Sequence, residues 1–307
     1  MARKDNHRLP LRIDLCLTKN NIMPNFTTTD GTTLFYKDWG TGRPLVFVHA
    51  AGMNSTFWDY TIPFLLDRGF RCIAYDKRGH GRSDVPGEGY DFDTLAGDLH
   101  RLLDKLDLRD VTLIGHSMGG AEIIRYHTLY EAEGRVSQVV FIGTPDCVRQ
   151  LPDHPEGATE EQIEQRLREI ADDYPRWLDL NIDAFFLQEA FGTSDSIKLW
   201  AKLMMQQNPV HIFILANKSV LSADLRAEVR KIRLPALVIH GDRDASIPFF
   251  CGASITASIP GAIFKVYPGA PHGLVLSSKE QVNKDLAEFA LRADRVNPNL
   301  QPKEKRL

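Results

Sequence analysis

The sequence predicts an α/β fold: a mostly parallel, doubly wound sheet with a helical cap inserted between late strands. First, short apolar, β-branched segments alternate with helical patterns, which is typical of a parallel sheet flanked by helices. Second, the 307 residues, 43% hydrophobic and 25% charged, suffice for one sizeable core. Third, residues from about 146 to 233 are rich in helical patterns and aromatic side chains but contain no strong strand. This third interval is the predicted cap.

The strands are predicted from their apolar composition. Two early segments, 25–29 and 32–39, joined through Asp30 and Gly31, predict a hairpin. Near-continuous apolar segments, typical of strands covered on both faces, follow at 44–49, 71–76, 111–115, 136–143, 236–240 and 263–268.

Helices are predicted between these strands from apolar residues at helical spacing. In the main domain they cover 56–68, 93–106, 118–130 and 278–291, and in the cap they include 160–171 and 199–207. Residues 1–22 carry scattered basic side chains and no apolar stretch long enough for a signal peptide or a membrane span. We expect them to be a disordered extension, and 23–307 to form the folded domain.

The strongest chemical motif is Gly115-His116-Ser117-Met118-Gly119, which follows an apolar strand and precedes a helical pattern. It matches the G-x-S-x-G turn that exposes a serine hydroxyl between a strand and a helix. Small residues flank the serine because the turn is tight, and the start of the following helix favours developing negative charge. Ser117 is therefore the predicted nucleophile.

A serine nucleophile needs a base, and the base needs an orienting group. Among the ten histidines, His272 lies in the sequence PGAPHG directly after the last predicted strand. It should therefore share the carboxyl edge of the sheet with Ser117. The sequence HGDRDASIP after the penultimate strand offers two acids, Asp242 and Asp244. Asp244 is favoured, and Asp242 could instead hold the loop by local hydrogen bonds.

An acyl-transfer enzyme must also stabilise an oxyanion. The backbone N–H after the nucleophile, that of Met118, is one predicted donor, and the loop HAAGM after the third strand offers a second, that of Ala51. Candidate substrate contacts are Met53, Trp58 and Cys147. For Cys147, which lies just after a predicted strand, the alternative is a small apolar filler.

With these motifs in place, the sequence resembles the α/β-hydrolase superfamily, and within it the branch of non-heme haloperoxidases, perhydrolases and small arylesterases. The resemblance supports Ser117, Asp244 and His272 as the triad. In that family the YDKRGHGRS stretch mainly shapes the floor of the site, so Arg78 and His80 are not expected to be catalytic. The resemblance covers 23–292 and rests on FYKDWGTGRPLVFVHA, YDKRGHGRS, GHSMGG, HGDRDASIP and PGAPHG.

Two departures from the family pattern bear on the reaction. Ala50 replaces the usual glycine after His49, and Gly52 stands where members with strong perhydrolase activity resemble one another in carrying proline. We therefore expect hydrolysis of a carboxylic ester or lactone of a small, mainly apolar substrate through an acyl-serine intermediate. Perhydrolysis with the same triad is the alternative, and a slow-turnover small-molecule receptor is the alternative of another class. Ser117 argues against dehalogenase and epoxide-hydrolase chemistry, because the members of this superfamily that the resemblance associates with those reactions carry aspartate at this turn.

The composition of the chain indicates which classes of binding partner to expect. The net charge of −3 argues against nucleic acid, and no segment predicts membrane insertion. The four cysteines show neither disulfide nor metal spacing, which favours a reducing, cytoplasmic setting. The expected chemistry needs no metal or organic cofactor. The oligomeric state cannot be predicted.

Overall fold

A computed structural model describes residues 24–187 and 193–296 of the chain. The predicted extension at 1–22 lies outside the described residues, so it stays a prediction. Within the described ranges the strands are β1 (Asn25–Thr27), β2 (Thr33–Trp39), β3 (Pro44–Val48), β4 (Arg71–Tyr75), β5 (Val111–His116), β6 (Val136–Ile142), β7 (Ala236–Gly241) and β8 (Ile263–Tyr267). They form one sheet in the order β1-β2-β4-β3-β5-β6-β7-β8.

The sheet is mostly parallel, as predicted. The β1–β2 and β2–β4 pairs are antiparallel, and the pairs from β4 across to β8 are parallel. Every residue of β5 and β7 is buried, because helices cover both faces of a parallel sheet. The strand order reverses around β3, so a crevice opens at the carboxyl ends of β3 and β5. Ligands bind at such a switch point in open α/β sheets.

The helices cover both faces of the sheet, and each face has its own apolar core. In chain order they are α1 (Ile62–Leu66), α2 (Phe92–Lys105), α3 (Met118–Tyr130), α4 (Glu160–Asp172), α5 (Tyr174–Phe186), α6 (Asp195–Gln206), α7 (Val210–Ser222), α8 (Arg226–Val229), α9 (Phe249–Ser258), α10 (Leu274–Ser277) and α11 (Lys279–Val296). Side chains of α2, α3 and α9 pack in one core. Side chains of α1 and α11 pack in the other. The sheet is therefore doubly wound.

One helix prediction is wrong. The segment 56–68 was expected to be continuous, but it divides into a 3-10 turn, Ser55–Trp58, and the short α1. The Asn54 side chain accepts a hydrogen bond from the Thr56 backbone N–H at 2.9 Å and starts the first turn. Pro63 has no N–H to continue that turn and its ring opposes the preceding carbonyl, so the chain restarts as a second helix. The hairpin and the helix over Met118–Tyr130 are confirmed.

Between β6 and β7 lie α4 to α8. We call α4 to α7, residues 160–222, the inserted helices. Two of them, α5 and α7, were not predicted individually, although the interval was expected to be helical. Its assignment as a separate cap at 146–233 stays a prediction. In the part of the chain that the structure describes, no helix is both long and apolar enough to cross a membrane.

Candidate active site

Ser117 occupies the turn between β5 and α3. Its backbone has φ 54° and ψ −123°, a conformation that costs energy for a residue with a Cβ. The Ser117 backbone N–H donates to the Ile142 carbonyl at 2.8 Å, which fixes the turn against β6. A Cβ on Gly119 would lie 2.1 Å from the Val48 carbonyl oxygen. The glycine therefore lets α3 begin directly beside β3, with Ser117 at the crevice.

His272 and Asp244 meet at the same edge of the sheet. His272 Nδ1 and Asp244 Oδ2 are 2.6 Å apart, and the Asp244 side chain is fully buried. The other carboxylate oxygen accepts the backbone N–H groups of Ser246 and Ile247, each at 2.8 Å. Burial raises the pKa of Asp244, but the His272 side chain and the Ile247 N–H outweigh it and hold the pKa below its usual value. The ionised carboxylate only accepts, so the His272 proton lies on Nδ1.

The alternative acid, Asp242, has a different contact. Its Oδ1 accepts the backbone N–H of Gly269 at 2.6 Å. This bond ties the loop after β7 to the loop after β8. The structure therefore brings Asp244 to His272, and Asp242 holds together the two loops that carry them.

Two hydrogen bonds, one from each side, hold the loop that carries His272. From below, His116 Nε2 donates to the His272 carbonyl at 3.0 Å. From above, the Gly273 N–H donates to the Phe185 carbonyl at 2.7 Å. The Phe185 ring stands edge-on to the His272 ring, with centroids 5.3 Å apart at 80°. The His272 loop is therefore held between β5 and the inserted helix α5.

The loop after β3 presents the second predicted donor. Among the described residues, the backbone N–H groups of Ala51 and Met118 donate to no protein acceptor. The next residue, Gly52, donates its N–H to His80 Nε2 at 3.2 Å, and His80 Nδ1 donates to the Arg78 carbonyl at 2.8 Å. Burial lowers the pKa of His80 to about 4, so it is a neutral acceptor. His80 thus supports this loop, in keeping with the supporting role expected for its motif.

A cavity of about 130 Å³ lies between this edge of the sheet and the inserted helices. Its wall is mainly apolar and aromatic, with a few polar side chains. The wall consists of Ala50, Ala51, Ser117, Arg166, Trp177, Leu178, Asn181, Ile182, Ala184, Phe185, Met205, Phe213, Asn217, Val220, Leu221, Ala245, Ser246, Ile247 and His272. Ser117 and His272 therefore line the same cavity.

Three predicted substrate contacts need correction. Met53, Trp58 and Cys147 do not line the cavity, and each is almost wholly buried elsewhere. The Trp58 ring packs on Phe47 with centroids 5.2 Å apart, so it belongs to the core beneath the sheet. Cys147 matches the alternative interpretation, a small buried filler.

Several residues at this site were not predicted from the sequence. Arg166 and Asn217 line the cavity from α4 and α7, and Gly143 follows β6 beside the Asp244–His272 pair. His116 was noted only as part of the serine motif. A signal existed for Gly143, since it ends a strand at the predicted site edge. The sequence also contained a signal for Arg166, because this charged residue lies near Ile163 and Ile170 on the buried side of its helix.

Comparison with known proteins agrees with this architecture. A family model for the alpha/beta hydrolase fold matches residues 43–278. The non-heme chloroperoxidase CPO-A1 of Kitasatospora aureofaciens is 35% identical over 274 residues, covering 87% of this chain and 99% of that protein. The bifunctional esterase/perhydrolase DCH of Acinetobacter calcoaceticus is 30% identical over 279 residues, covering 86% and 98%. The esterase of Exiguobacterium antarcticum superposes with a TM-score of 0.83 at 28% identity, covering 88% and 99%. The chain belongs to the α/β-hydrolase fold family, in the branch of the non-heme haloperoxidases.

Proposed function

We propose that this hydrolase cleaves a carboxylic ester or lactone through an acyl-Ser117 intermediate. The observation that carries the proposal is the arrangement at the cavity. A serine held at positive φ and a histidine paired to a buried carboxylate at 2.6 Å line one cavity. A nucleophile, a base and an orienting acid are the parts that acyl transfer needs.

The chemistry follows from where the protons lie. Because Nδ1 of His272 carries its proton toward Asp244, Nε2 is free to accept the Ser117 hydroxyl proton. Ser117 Oγ then bonds to the substrate carbonyl carbon, and the carbonyl π electrons move to oxygen. His272 returns the proton to the departing alcohol as the C–O bond breaks. Water repeats the sequence on the acyl-enzyme and releases the acid and the free serine.

The negative oxygen of each tetrahedral intermediate needs donors that are already oriented. The N–H groups of Ala51 and Met118 are suitable because neither has a protein acceptor in the described residues. The start of α3 adds a favourable dipole at the same place. Loss of one such donor typically costs about 10²–10³-fold in rate. Met118 and Ala51 are accordingly proposed as the oxyanion hole.

The experiment is hydrolysis of p-nitrophenyl esters of graded acyl length by the native protein and by Ser117→Ala. We expect turnover in the native protein, loss in the variant, and covalent labelling of native Ser117 by a fluorophosphonate. Absence of both turnover and labelling would overturn the proposal. Labelling with barely more than one turnover per molecule would favour a receptor instead.

Perhydrolysis is the second candidate, because the relatives include a chloroperoxidase and an esterase/perhydrolase. The same acyl-enzyme would react with hydrogen peroxide instead of water, giving a peracid and free serine. Measuring peracid from acetate and hydrogen peroxide beside ester hydrolysis separates the two. We expect hydrolysis to dominate. A peracid rate above the ester rate would reverse that ranking.

A further inference from the structure

Arg166 is the unusual residue in the cavity wall. It lies on α4 between Ile163 and Ile170, both buried, and it is only partly exposed. Its Nε atom is inaccessible and has no hydrogen-bond partner. The guanidinium carbon lies 5.6 Å from the centre of the Trp177 ring. A cation on the apolar side of a helix, beside an aromatic ring, is thus directed toward the cavity.

No carboxylate of the described residues neutralises this cation. The salt bridges found there within 4.0 Å do not include Arg166. Glu169, one turn further along α4, exerts an electrostatic influence, but its Oε1 accepts the Gln165 amide at 2.8 Å. By contrast, Arg168 on the exposed side of the same helix pairs with Glu164 at 3.1 Å. The two arginines of α4 therefore differ sharply in environment.

The rest of the wall does not compensate for the charge either. Among the residues that line the cavity, no side chain is acidic, and Arg166 and His272 are the basic ones. The uncharged polar side chains of the wall, apart from that of Trp177, are the hydroxyls of Ser117 and Ser246 and the amides of Asn181 and Asn217. Burial lowers the pKa of Arg166, as expected for a cation with little compensation, although a guanidinium remains charged in proteins. A partly exposed cation whose Nε is inaccessible and unbonded loses hydration without gaining a partner, so Arg166 is suited to pairing with an anionic ligand.

We propose that the substrate of this site is an ester or lactone that carries a carboxylate or similar anion, and that Arg166 binds that anion across the cavity from Ser117. The proposal rests on the proposed hydrolase function and makes its substrate class more specific than mainly apolar. The apolar wall would contact the carbon chain between the two polar ends. Arginine suits this task because its fork of donors matches a carboxylate.

The experiment compares matched ester pairs. On the acyl side, mono-p-nitrophenyl glutarate is compared with p-nitrophenyl pentanoate, and on the alcohol side 3-carboxy-4-nitrophenyl butyrate with p-nitrophenyl butyrate. Each is tested with native protein, Arg166→Met, and Arg168→Met as the matched control on the same helix. We expect Arg166→Met to lower kcat/KM about 10- to 100-fold for the charged ester of one pair, mainly through KM. The preference for the charged ester, given by the ratio of the two kcat/KM values of that pair, should fall by this factor in Arg166→Met, and Arg168→Met should keep the native ratio.

Equal loss on charged and neutral esters would overturn the proposal, because it would assign Arg166 a merely structural role. So would a native enzyme that disfavours the anion in both pairs. Binding is tested separately by thermal unfolding with glutarate as the probe. Glutarate should raise the Tm of native protein and of Arg168→Met but not of Arg166→Met, and unchanged Tm in all three would contradict the proposal. This readout holds even if no ester is turned over, so failure of the hydrolase function and failure of anion binding remain distinguishable.

Discussion

Gly143 offers the sharpest test of the proposed catalytic geometry. It follows β6 with φ +50°, and a Cβ placed there would lie 3.1 Å from both Asp244 Oδ2 and His272 Nδ1. Those are the two atoms of the 2.6 Å hydrogen bond. The substitution Gly143→Ala therefore inserts a methyl group against this bond without altering any member of the proposed triad.

Neither partner can move away cheaply. The Asp244 carboxylate is fixed by the N–H groups of Ser246 and Ile247, and the His272 carbonyl is fixed by His116. We therefore expect the strain to lengthen or tilt the Asp–His bond and to reduce kcat about 10- to 100-fold. This is less than the ~10⁴-fold loss seen in serine proteases when the acid cannot hold its histidine in the correct tautomer. The positive φ should also cost about 1–2 kcal/mol of stability.

Gly134 supplies the control. It has φ +62°, and a Cβ there would have no neighbour within 4 Å. Gly134→Ala should lose a similar backbone energy while retaining native kcat. The assays are urea unfolding for both variants and kcat on a p-nitrophenyl ester. A Gly143→Ala variant with native kcat would show that this hydrogen bond does not orient the proposed base.

The remaining predictions concern the scaffold. Lys77→Met should cost about 3–5 kcal/mol in urea unfolding, because it leaves the buried Glu122 carboxylate with the Tyr75 hydroxyl but without the cation that contacts it at 2.6 Å. Adding Glu122→Leu should recover most of the loss, and a double variant no more stable than the single one would contradict this. Burial lowers the pKa of His80 from 6.5 to about 4 and that of His116 to about 3. Below pH 6.5 the unfolded chain therefore binds more protons than the folded chain does. The unfolding free energy should be at its highest above that pH and should fall toward pH 4, by about 3 kcal/mol for His80 alone. An unfolding free energy that does not change with pH in this range would refute the assignment. Gly52→Pro should lower ester kcat at least tenfold, since proline cannot adopt φ +77° or donate to His80; an unchanged kcat would show that this loop tolerates rearrangement.

Much of the fold could be predicted because its signals are local. Each parallel strand is a short apolar segment, and the turn after β5 has a distinctive sequence. The order of the motifs placed Ser117 and His272 at one edge of the sheet, since parallel strands share the direction of their carboxyl ends. Choosing Asp244 over Asp242 was harder, because both follow the same strand. The structure distinguishes them by the partners that each carboxylate reaches.

The cavity wall could not be predicted in the same way. Its composition depends on how α4, α5 and α7 pack over the sheet, and sequence periodicity gives the buried side of a helix but not the element that it faces. Met53 and Trp58 closely follow the loop after β3, yet both side chains are buried in the core and not in the cavity wall. Arg166 is nearly fifty residues from Ser117 in sequence, so only the tertiary packing brings it into the same cavity.

Three buried histidines surround the site, and the hydrogen bonds of two of them, His49 and His80, require a neutral imidazole. His49, His80 and His116 are each fully buried, and burial lowers the pKa of all three. His49 Nε2 accepts the Lys77 N–H at 3.0 Å, as His80 Nε2 accepts that of Gly52, so protonation would remove both acceptors. A lysine or arginine at these positions could only donate hydrogen bonds. An amide offers a donor and an acceptor, but they lie close together on one carbon, whereas the two nitrogens of an imidazole lie on opposite sides of the ring. Neutral imidazole therefore joins the loops after β3 and β4 where the proposed oxyanion hole needs a fixed backbone, and the stability of the fold and the geometry of the site depend on the same hydrogen bonds.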